Sequence, residues 1–338
     1  MIRALVIVVI VGLLSLSAAI GWSVWTLTQP LPIDGERIVE VERGASLART
    51  LRALHAEGLL EQPELLGTWA RINGSAVSIH AGEYRLQPSM TPLAMLDDFV
   101  AGRVMRRHFT LIEGWRFSDL RAALASTPRL RHDIADLSDA EIMARLGRPD
   151  VAPEGRFFPD TYDYLADQSA FVILRRAMAR MDEILAREWP GRSFGLPYES
   201  PDGALIMASL VEKETGLPSE RPKVAAVFVR RLELRMRLQT DPTVVYGLGE
   251  NFGGTLTRAD LRSDTPWNTY VHHGLPPTPI AMPGLASIQA ALHPAETEAL
   301  YFVARGDGSS HFSATLEEHN DAVWRYLRGG RDNEQEAP

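Results

Sequence analysis

The sequence predicts an α+β protein with a transmembrane helix at its N-terminus. Three observations support this class: an uncharged apolar run near the start, short β-branched segments interleaved with amphipathic ones, and no repeat of fixed length. With 338 residues, 45% hydrophobic and 23% charged, the chain is not disordered or fibrous and has material for about two domains. The net charge of -8 argues against nucleic acid as a partner, and the lack of cysteine excludes disulfides and thiolate metal sites.

The apolar run predicts a membrane anchor in residues 1–30. No charged side chain occurs from Ala4 to Ile33, and the run is long enough to cross a bilayer as a helix. Arg3 precedes it and mainly acidic residues follow, which predicts a cytoplasmic N-terminus and an exported body. The small residues at 15–19 leave a cleaved signal peptide as the alternative. The apolar run continues well past them, which favours an uncleaved anchor.

Residues 31–105 are predicted to form a small α+β domain. Strands are expected at 38–42 and 82–86, with helices at 47–57, 63–72 and 92–100. Ser46 is the expected N-cap of the first helix, and Gly58 and Gly102 are expected to end helices. The order strand, helix, helix, strand resembles a LysM module, a fold associated with glycan binding in cell walls. A spacer domain of the same fold class is the alternative.

Residues 106–330 are predicted to form a second, larger α+β domain, followed by a flexible tail at 331–338. Its first part, 106–165, is expected to be β-rich and to connect to a core at 166–330. The segment 104–113 alternates as a strand does, and 153–162 is too rich in Pro, Gly and aromatic residues for a helix. Further elements are helices at 169–189, 202–215, 221–236 (with Ser219 as N-cap) and 317–327, and a hairpin of 301–304 with 311–313.

Two carboxylates mark the end of the helix predicted at 202–215. This helix is apolar nearly all round, so we expect it to be buried, and it ends in Glu212-Lys213-Glu214. Burial and the negative end of the helix dipole both raise the pKa of a carboxyl group, as a general acid near neutral pH requires. Residues 212 and 214 are about 200° apart on a helix, so at most one of them faces a given cleft. Solvated helix-end charges are the alternative.

Two downstream loops carry groups suited to sugar recognition. One contains Gln239, Thr240 and Asp241 before a helix-opening proline, and the other contains Asn268 and Tyr270 between prolines. Loop packing without a ligand is equally consistent with both. The sequence has no zinc-binding His-Glu-x-x-His helix, phosphate-binding glycine loop or dinucleotide fingerprint. The adjacent histidines at 272 and 273 would face apart on a strand, so we expect neither a metal nor a cofactor.

Four motifs together resemble the YceG/MltG family of endolytic murein transglycosylases, which are anchored in the bacterial inner membrane. They occur in the family's order and are, in one-letter code, EGRFFPDTY (154–162), MASLVEKET (207–215), RLQTDPTV (237–244) and NTY (268–270). The resemblance covers nearly the whole chain. It implies a mixed α+β catalytic domain with a lysozyme-like catalytic helix after the LysM-like domain.

The resemblance implies lytic cleavage of the β-1,4 bond between MurNAc and GlcNAc in nascent peptidoglycan. No water is used: one glutamate protonates the glycosidic oxygen and then deprotonates the C6 hydroxyl of the same MurNAc, which closes a 1,6-anhydro ring. Glu214 matches the position of the family's catalytic residue, and Glu214-Thr215 resembles the Glu-Ser pair of other lytic transglycosylases, so Glu212 is the less favoured candidate. Gln239, with Thr240 and Asp241, and Asn268 with Tyr270 resemble sugar-contacting motifs.

The implied setting is a periplasmic catalytic domain that terminates glycan elongation beside penicillin-binding synthases. Two alternatives stay open. A water-using muramidase would employ Glu214 as acid and Asp241 as second carboxylate, and it would leave reducing MurNAc ends. A non-catalytic scaffold would bind peptidoglycan through the LysM-like domain, and its effect on the cell wall would not depend on Glu214.

Overall fold

A computed structural model describes residues 2–74 and 79–328 of the chain. The backbone forms two compact units. The first unit comprises Met1–Arg107 and Tyr164–Gln168, and the second comprises His108–Asp163 and Ser169–Pro338. The tail predicted at 331–338 lies outside the described residues.

The first unit begins with the predicted apolar helix, α1 (Ile2–Leu27). It is long and apolar enough to cross a membrane, with a mean hydropathy of 2.7 over its most apolar 18 residues. None of those 18 residues is buried in the protein. A core helix of a soluble domain would bury this surface, so the exposed helix fits a single-pass membrane anchor.

The rest of the first unit has the element order that the sequence predicts. It contains β1 (Arg37–Val41), α2 (Leu47–Ala56), α3 (Pro63–Ile72), β2 (Gly82–Leu86) and α4 (Pro92–Ala101). The two strands are antiparallel, with Arg37 opposite Leu86 and Val41 opposite Gly82. Ser46 caps α2 by accepting a hydrogen bond from the Arg49 amide, and Gly102 ends α4 at a φ of 65°.

The second unit is a mixed α+β body with short strands and longer helices. Its helices are α5 (Phe117–Ala125), α6 (Asp139–Arg145), α7 (Ala170–Glu188), α8 (Pro201–Glu214), α9 (Arg221–Glu233), α10 (Asp241–Leu248), α11 (Leu285–Leu292) and α12 (Leu316–Val323). Its strands pair two by two: β3 (Arg107–Thr110) with β5 (Thr161–Tyr164), β4 (Leu130–Arg131) with β6 (Gln168–Ser169), and β7 (Tyr301–Ala304) with β8 (Ser310–Ser313). Three end residues of these strands, Arg107, Tyr164 and Gln168, are grouped with the first unit.

The core of the second unit is built around α8. This helix packs against α9 and α11, and seven of its residues, from Ala204 to Val211, are buried. The Ser200 hydroxyl accepts a hydrogen bond from the Gly203 amide and caps the helix, whose first residue is Pro201. The prediction of a helix buried on nearly all sides is confirmed. Its C-terminal residue, Glu214, is thereby held on a rigid element.

Four predicted boundaries in the second unit are wrong. The helix expected at 317–327 is α-helical only over Leu316–Val323 and is followed by a π-helical turn at Trp324–Arg328. The strand expected at 104–113 is limited to Arg107–Thr110, which pairs with β5. The N-cap of α9 is Glu220 rather than Ser219, and no side chain caps it. The same helix ends at Glu233 instead of 236, where Arg235 turns the backbone into the left-handed region at a φ of 54°.

Candidate active site

The last turn of α8 directs its two carboxylates to different surroundings, as the helical geometry predicts. Glu212 Oε1 accepts a hydrogen bond from Arg221 Nη2 at 3.3 Å, and Oε2 accepts one from the Gly284 amide at 3.0 Å. Arg221 also lies 4.0 Å from Glu113. The carboxylate of Glu212 is therefore committed to holding neighbouring segments together.

Glu214 instead borders a cavity of about 480 Å³. Burial is the largest influence on its carboxyl group and raises its pKa to about 7. That pKa includes a smaller rise caused by Asp241 and a lowering caused by the Thr240 hydroxyl and by Arg231. A carboxyl group with this pKa is protonated in a large fraction of molecules near neutral pH. It can therefore act as a proton donor and, once ionised, as an acceptor.

Twelve residues from several elements line the Glu214 cavity. They are Glu214, Phe228, Arg231, Leu238, Gln239, Asp241, Tyr270, Tyr301, Phe302, Leu316, His319 and Asn320. The cavity is therefore polar on the side of α8 and the loop before α10, and it is bounded elsewhere by the β7–β8 hairpin and α12. Three of the residues predicted for sugar contact, Gln239, Asp241 and Tyr270, meet there.

Gln239 lies in a strained stretch of backbone at the edge of this cavity. Its φ is 52°, a left-handed value that is uncommon for a residue other than glycine, and its side chain is exposed. The amide of Gln239 donates to the carbonyl of Thr269 at 3.2 Å, and the amide of Thr240 donates to the Thr269 hydroxyl at 3.1 Å. Residue 269 thus fixes the loop that carries residues 239–241.

Thr240 and Asp241 occupy different environments although they are adjacent. The Thr240 side chain is buried beside Glu214, and its hydroxyl has no hydrogen bond of regular geometry among the described residues. Asp241 is exposed, begins α10 and accepts a hydrogen bond from the Tyr270 hydroxyl at 2.6 Å. The Thr240 amide and the Asp241 carboxylate therefore link this loop to the loop of residues 268–270.

Asn268 does not line the Glu214 cavity. Its side chain is fully buried, and its amide nitrogen donates to the carbonyl of Ser263 at 2.7 Å. Its amide oxygen accepts from the Tyr270 amide at 2.9 Å. Both ends of the side chain are therefore engaged with the backbone of the loop that presents Tyr270.

Three further residues form a stacked group at the cavity that the sequence did not predict: Arg231, Tyr301 and His319. The Arg231 guanidinium lies 5.0 Å from the centre of the Tyr301 ring, and the His319 ring stacks on Tyr301 at 5.2 Å. Arg231 is buried and donates to the carbonyls of Leu300 and Leu238. Burial, with Arg231 nearby, lowers the pKa of His319. No local motif marks these residues, since they come from three elements distant in sequence.

A second buried acid, Glu154, lies in the aromatic-rich segment before β5. Its oxygens accept hydrogen bonds from the Phe117 amide at 3.1 Å and the Tyr246 hydroxyl at 3.2 Å. Burial raises its pKa to about 7. The next residue, Gly155, has a φ of 77°, and a Cβ there would lie 2.5 Å from Pro279 Cβ, so glycine is required for this packing.

Among residues 2–74 and 79–328, no cluster of three or more His, Asp or Glu side chains could hold a metal ion. The adjacent histidines have separate partners. The His272 Nε2 atom lies 2.8 Å from Asp264, and the His273 Nδ1 atom lies 3.1 Å from the carbonyl of Arg235.

Comparison with known proteins indicates the same family as the four sequence motifs. The family model described as the YceG-like family matches residues 39–325. An endolytic murein transglycosylase of Bacillus subtilis (strain 168) is 30% identical over 321 residues, covering 89% of this chain and 88% of that protein. One from Streptococcus pneumoniae serotype 2 (strain D39) is 25% identical, covering 94% of this chain and 64% of that protein.

A crystal structure of a YceG-like protein from Listeria monocytogenes is similar in fold as well as in sequence. It is 28% identical, has a TM-score of 0.54, and the match covers 86% of this chain and 99% of that one. The family model itself spans most of the chain, including both candidate loops and the end of α8. The chain therefore belongs to the YceG-like family.

Proposed function

We propose that this protein is an endolytic lytic transglycosylase of peptidoglycan. It cleaves the β-1,4 bond between MurNAc and GlcNAc within nascent glycan strands and leaves 1,6-anhydroMurNAc ends. Relatives from B. subtilis and S. pneumoniae carry the name endolytic murein transglycosylase. The observation that carries the proposal is the Glu214 carboxyl, which has a pKa of about 7 and borders a cavity of about 480 Å³.

Glu214 is proposed to serve as acid and base in turn. Its proton passes to the glycosidic oxygen as the bond from that oxygen to C1 breaks. The C6 hydroxyl oxygen of the same MurNAc then bonds to C1, and its proton passes to the Glu214 carboxylate, which restores the acid. Because the substrate supplies the nucleophile, one carboxyl group is sufficient, whereas an ordinary glycosidase needs two.

Gln239, Asp241 and Tyr270 are proposed to contact the sugar, because all three line the Glu214 cavity. Thr240 is proposed to position the acid, since its buried hydroxyl lies beside Glu214. We assign Asn268 to holding the loop of Tyr270 rather than to direct sugar contact, because its side chain is fully buried. Glu212 is proposed to stabilise the end of α8 and not to transfer protons.

The cellular location and the partners of the protein are proposed from its apolar helix α1 and from its resemblance to the YceG-like family. Helix α1 would hold the protein in the inner membrane as a single-pass anchor with the catalytic unit in the periplasm. There the enzyme would terminate glycan elongation beside penicillin-binding synthases. The first unit, with α2 and α3 between two antiparallel strands, would act as a LysM-like glycan-binding domain.

Mass spectrometry of glycan strands digested by the full chain in detergent tests the activity. The wild type should release fragments with 1,6-anhydroMurNAc ends, and Glu214→Gln, which has no transferable proton, should be slower by at least about 100-fold. Thermal unfolding of both proteins provides the control for folding. Reducing MurNAc ends would instead indicate a water-using muramidase. No cleavage by a folded wild type, or equal cleavage by both proteins, would contradict the proposal.

A further inference from the structure

A second, smaller cavity lies next to the proposed catalytic site. Its volume is about 260 Å³, and it is lined by Arg116, Lys213, Asp241, Pro242, Val245 and Ile280. Asp241 borders this Arg116 cavity as well as the Glu214 cavity, so the two are neighbours across one side chain. Lys213 precedes Glu214 in α8. A substrate that reaches the proposed acid therefore lies close to both cations.

Arg116 is held in place without using the hydrogen-bond donors of its guanidinium. Its backbone amide donates to Asp119 at 2.9 Å at the start of α5, and its guanidinium lies 5.3 Å from the centre of the Tyr246 ring. The guanidinium donates no hydrogen bond to any part of the chain that the structure describes. A planar group with five donors, fixed on an aromatic ring, is suited to bidentate recognition of a carboxylate.

Two acids near Arg116, Glu154 and Asp241, have other partners. Glu154 attracts the guanidinium electrostatically, but its oxygens accept hydrogen bonds from the Phe117 amide and the Tyr246 hydroxyl. Asp241 is bound by the Tyr270 hydroxyl at 2.6 Å. Neither acid hydrogen-bonds with Arg116.

Lys213 adds a second positive charge to the same cavity. Its ammonium group donates to the carbonyl of Gly114 at 3.2 Å, which leaves two of its three N–H groups. The Gly114 amide in turn donates to the carbonyl of Met282 at 2.8 Å, and the Met282 amide donates to the carbonyl of Trp115 at 2.8 Å. This backbone pairing fixes the segment that leads to Arg116, so both cations are positioned before a ligand arrives.

We propose that Arg116 and Lys213 form a subsite for a carboxylate of the peptide stem attached to the MurNAc residue that is cleaved. The inference rests on the proposed function, because it places peptidoglycan in the Glu214 cavity. Peptide stems bear free carboxylates close to the glycan backbone, and a guanidinium and an ammonium that line one cavity match such a group in charge and geometry. The subsite would make the enzyme prefer strands that carry peptides over bare ones.

The test compares the full chain with Arg116→Gln/Lys213→Gln on three preparations of glycan strands. The first bears peptide stems with free carboxylates, the second bears the same stems after chemical amidation, and the third has had its stems removed, which exposes the lactyl carboxylate. For the first, we expect the double variant to show a KM raised about 10-fold with kcat nearly unchanged. For the amidated strands, wild type and variant should differ by less than about 2-fold. Arg175→Gln, an exposed cation on α7 that lines neither cavity, is the matched control.

Several other outcomes would each overturn a defined part of the proposal. A loss that is limited to strands without stems would assign the cations to the lactyl carboxylate instead of the peptide. An equal loss on all three substrates, or no loss on any, would show that the cations do not recognise a carboxylate. If the wild type releases no anhydro product from any strand, the proposed function itself is wrong, which is a different result from a change in preference.

Discussion

The two sides of the last turn of α8 differ in what surrounds their carboxylates. On one side, Glu212 meets the buried Arg221 and the Gly284 amide. On the other side, Glu214 meets a cavity, a neighbouring acid and a buried hydroxyl, and its pKa rises to about 7. Two identical side chains, two positions apart, thus receive a structural and a chemical assignment. The comparison teaches that partners and burial, rather than residue type, determine which carboxylate can transfer a proton.

Removing the charge of Glu212 should have the largest effect on stability. In Glu212→Gln the buried Arg221 would keep only the distant Glu113, so we expect the free energy of unfolding to fall by about 3 kcal/mol. Thermal and denaturant unfolding of the full chain in detergent measure this loss. Glu113→Gln is the matched control, since Glu113 is exposed and 4.0 Å from Arg221, and it should lose less than about 1 kcal/mol.

The cleavage rate of Glu212→Gln tests the roles assigned to Glu212 and Glu214. At a temperature where Glu212→Gln is folded, it should keep most of its cleavage rate, because its carboxylate is committed to Arg221 and Gly284. If it were instead folded and as slow as Glu214→Gln, then Glu212 would also be required for cleavage and its purely structural assignment would be wrong.

The pH dependence of stability should reveal the raised pKa of Glu214, with a smaller effect than the one expected for Glu212→Gln. The pKa of Glu214 is about 7 in the folded protein against an ordinary 4.5, so its ionisation opposes folding. The protonated Glu214 carboxyl therefore makes its full contribution to the free energy of unfolding below about pH 4.5. This contribution is lost as the pH rises through about 7. The shift corresponds to at most about 3 kcal/mol, and partial exposure of the side chain reduces the expected effect to about 2 kcal/mol.

Glu214→Gln cannot ionise, so it should be more stable than the wild type at pH 8 and about equally stable at pH 4. Melting curves of both proteins across this range measure the difference. A constant difference at all pH values would mean that burial does not raise the pKa of Glu214. Glu154, whose pKa is also raised, is present in both proteins and cancels in the comparison.

Tyr270→Phe should have a smaller effect than either the loss of the Glu212 charge or the ionisation of Glu214. The substitution removes the hydroxyl that donates to Asp241 at 2.6 Å, so the Asp241 side chain loses its fixed orientation at the cavity. We expect kcat/KM on glycan strands to fall about 10-fold while the melting temperature changes little. Tyr326→Phe, outside the cavity, is the control. An unchanged kcat/KM would show that the Tyr270 hydroxyl does not contribute to cleavage.

Local patterns in the sequence predicted the elements whose limits are set by their own residues. The bounds of α3 and β2 agree with prediction, because α3 begins at a proline and is followed by Asn73-Gly74, and β2 begins at a glycine. The strand expected at 104–113 was too long, since the extent of β3 depends on where β5 meets it. Pairing partners are a tertiary property that alternation does not encode.

The residues of the candidate site also fall into two groups, those that local sequence patterns predict and those that depend on tertiary contacts. Glu214 and the loop of residues 239–241 stand out in sequence because chemistry-bearing residues are adjacent there. Arg231, Tyr301 and His319 were missed because each looks ordinary beside its neighbours and gains a role only when three elements meet. For Asn268 the sequence indicates a polar residue in a loop, but it does not reveal that the amide is turned inward to backbone carbonyls.

The β7–β8 hairpin and α12 supply Tyr301, Phe302, Leu316, His319 and Asn320 to the cavity that contains the proposed acid. About 100 residues separate Glu214 from this wall along the chain. During synthesis the acid therefore emerges long before the surface that encloses it. The enclosure is completed only after Asn320 has been made, so a product truncated before the β7–β8 hairpin would carry the acid in an open, solvated groove.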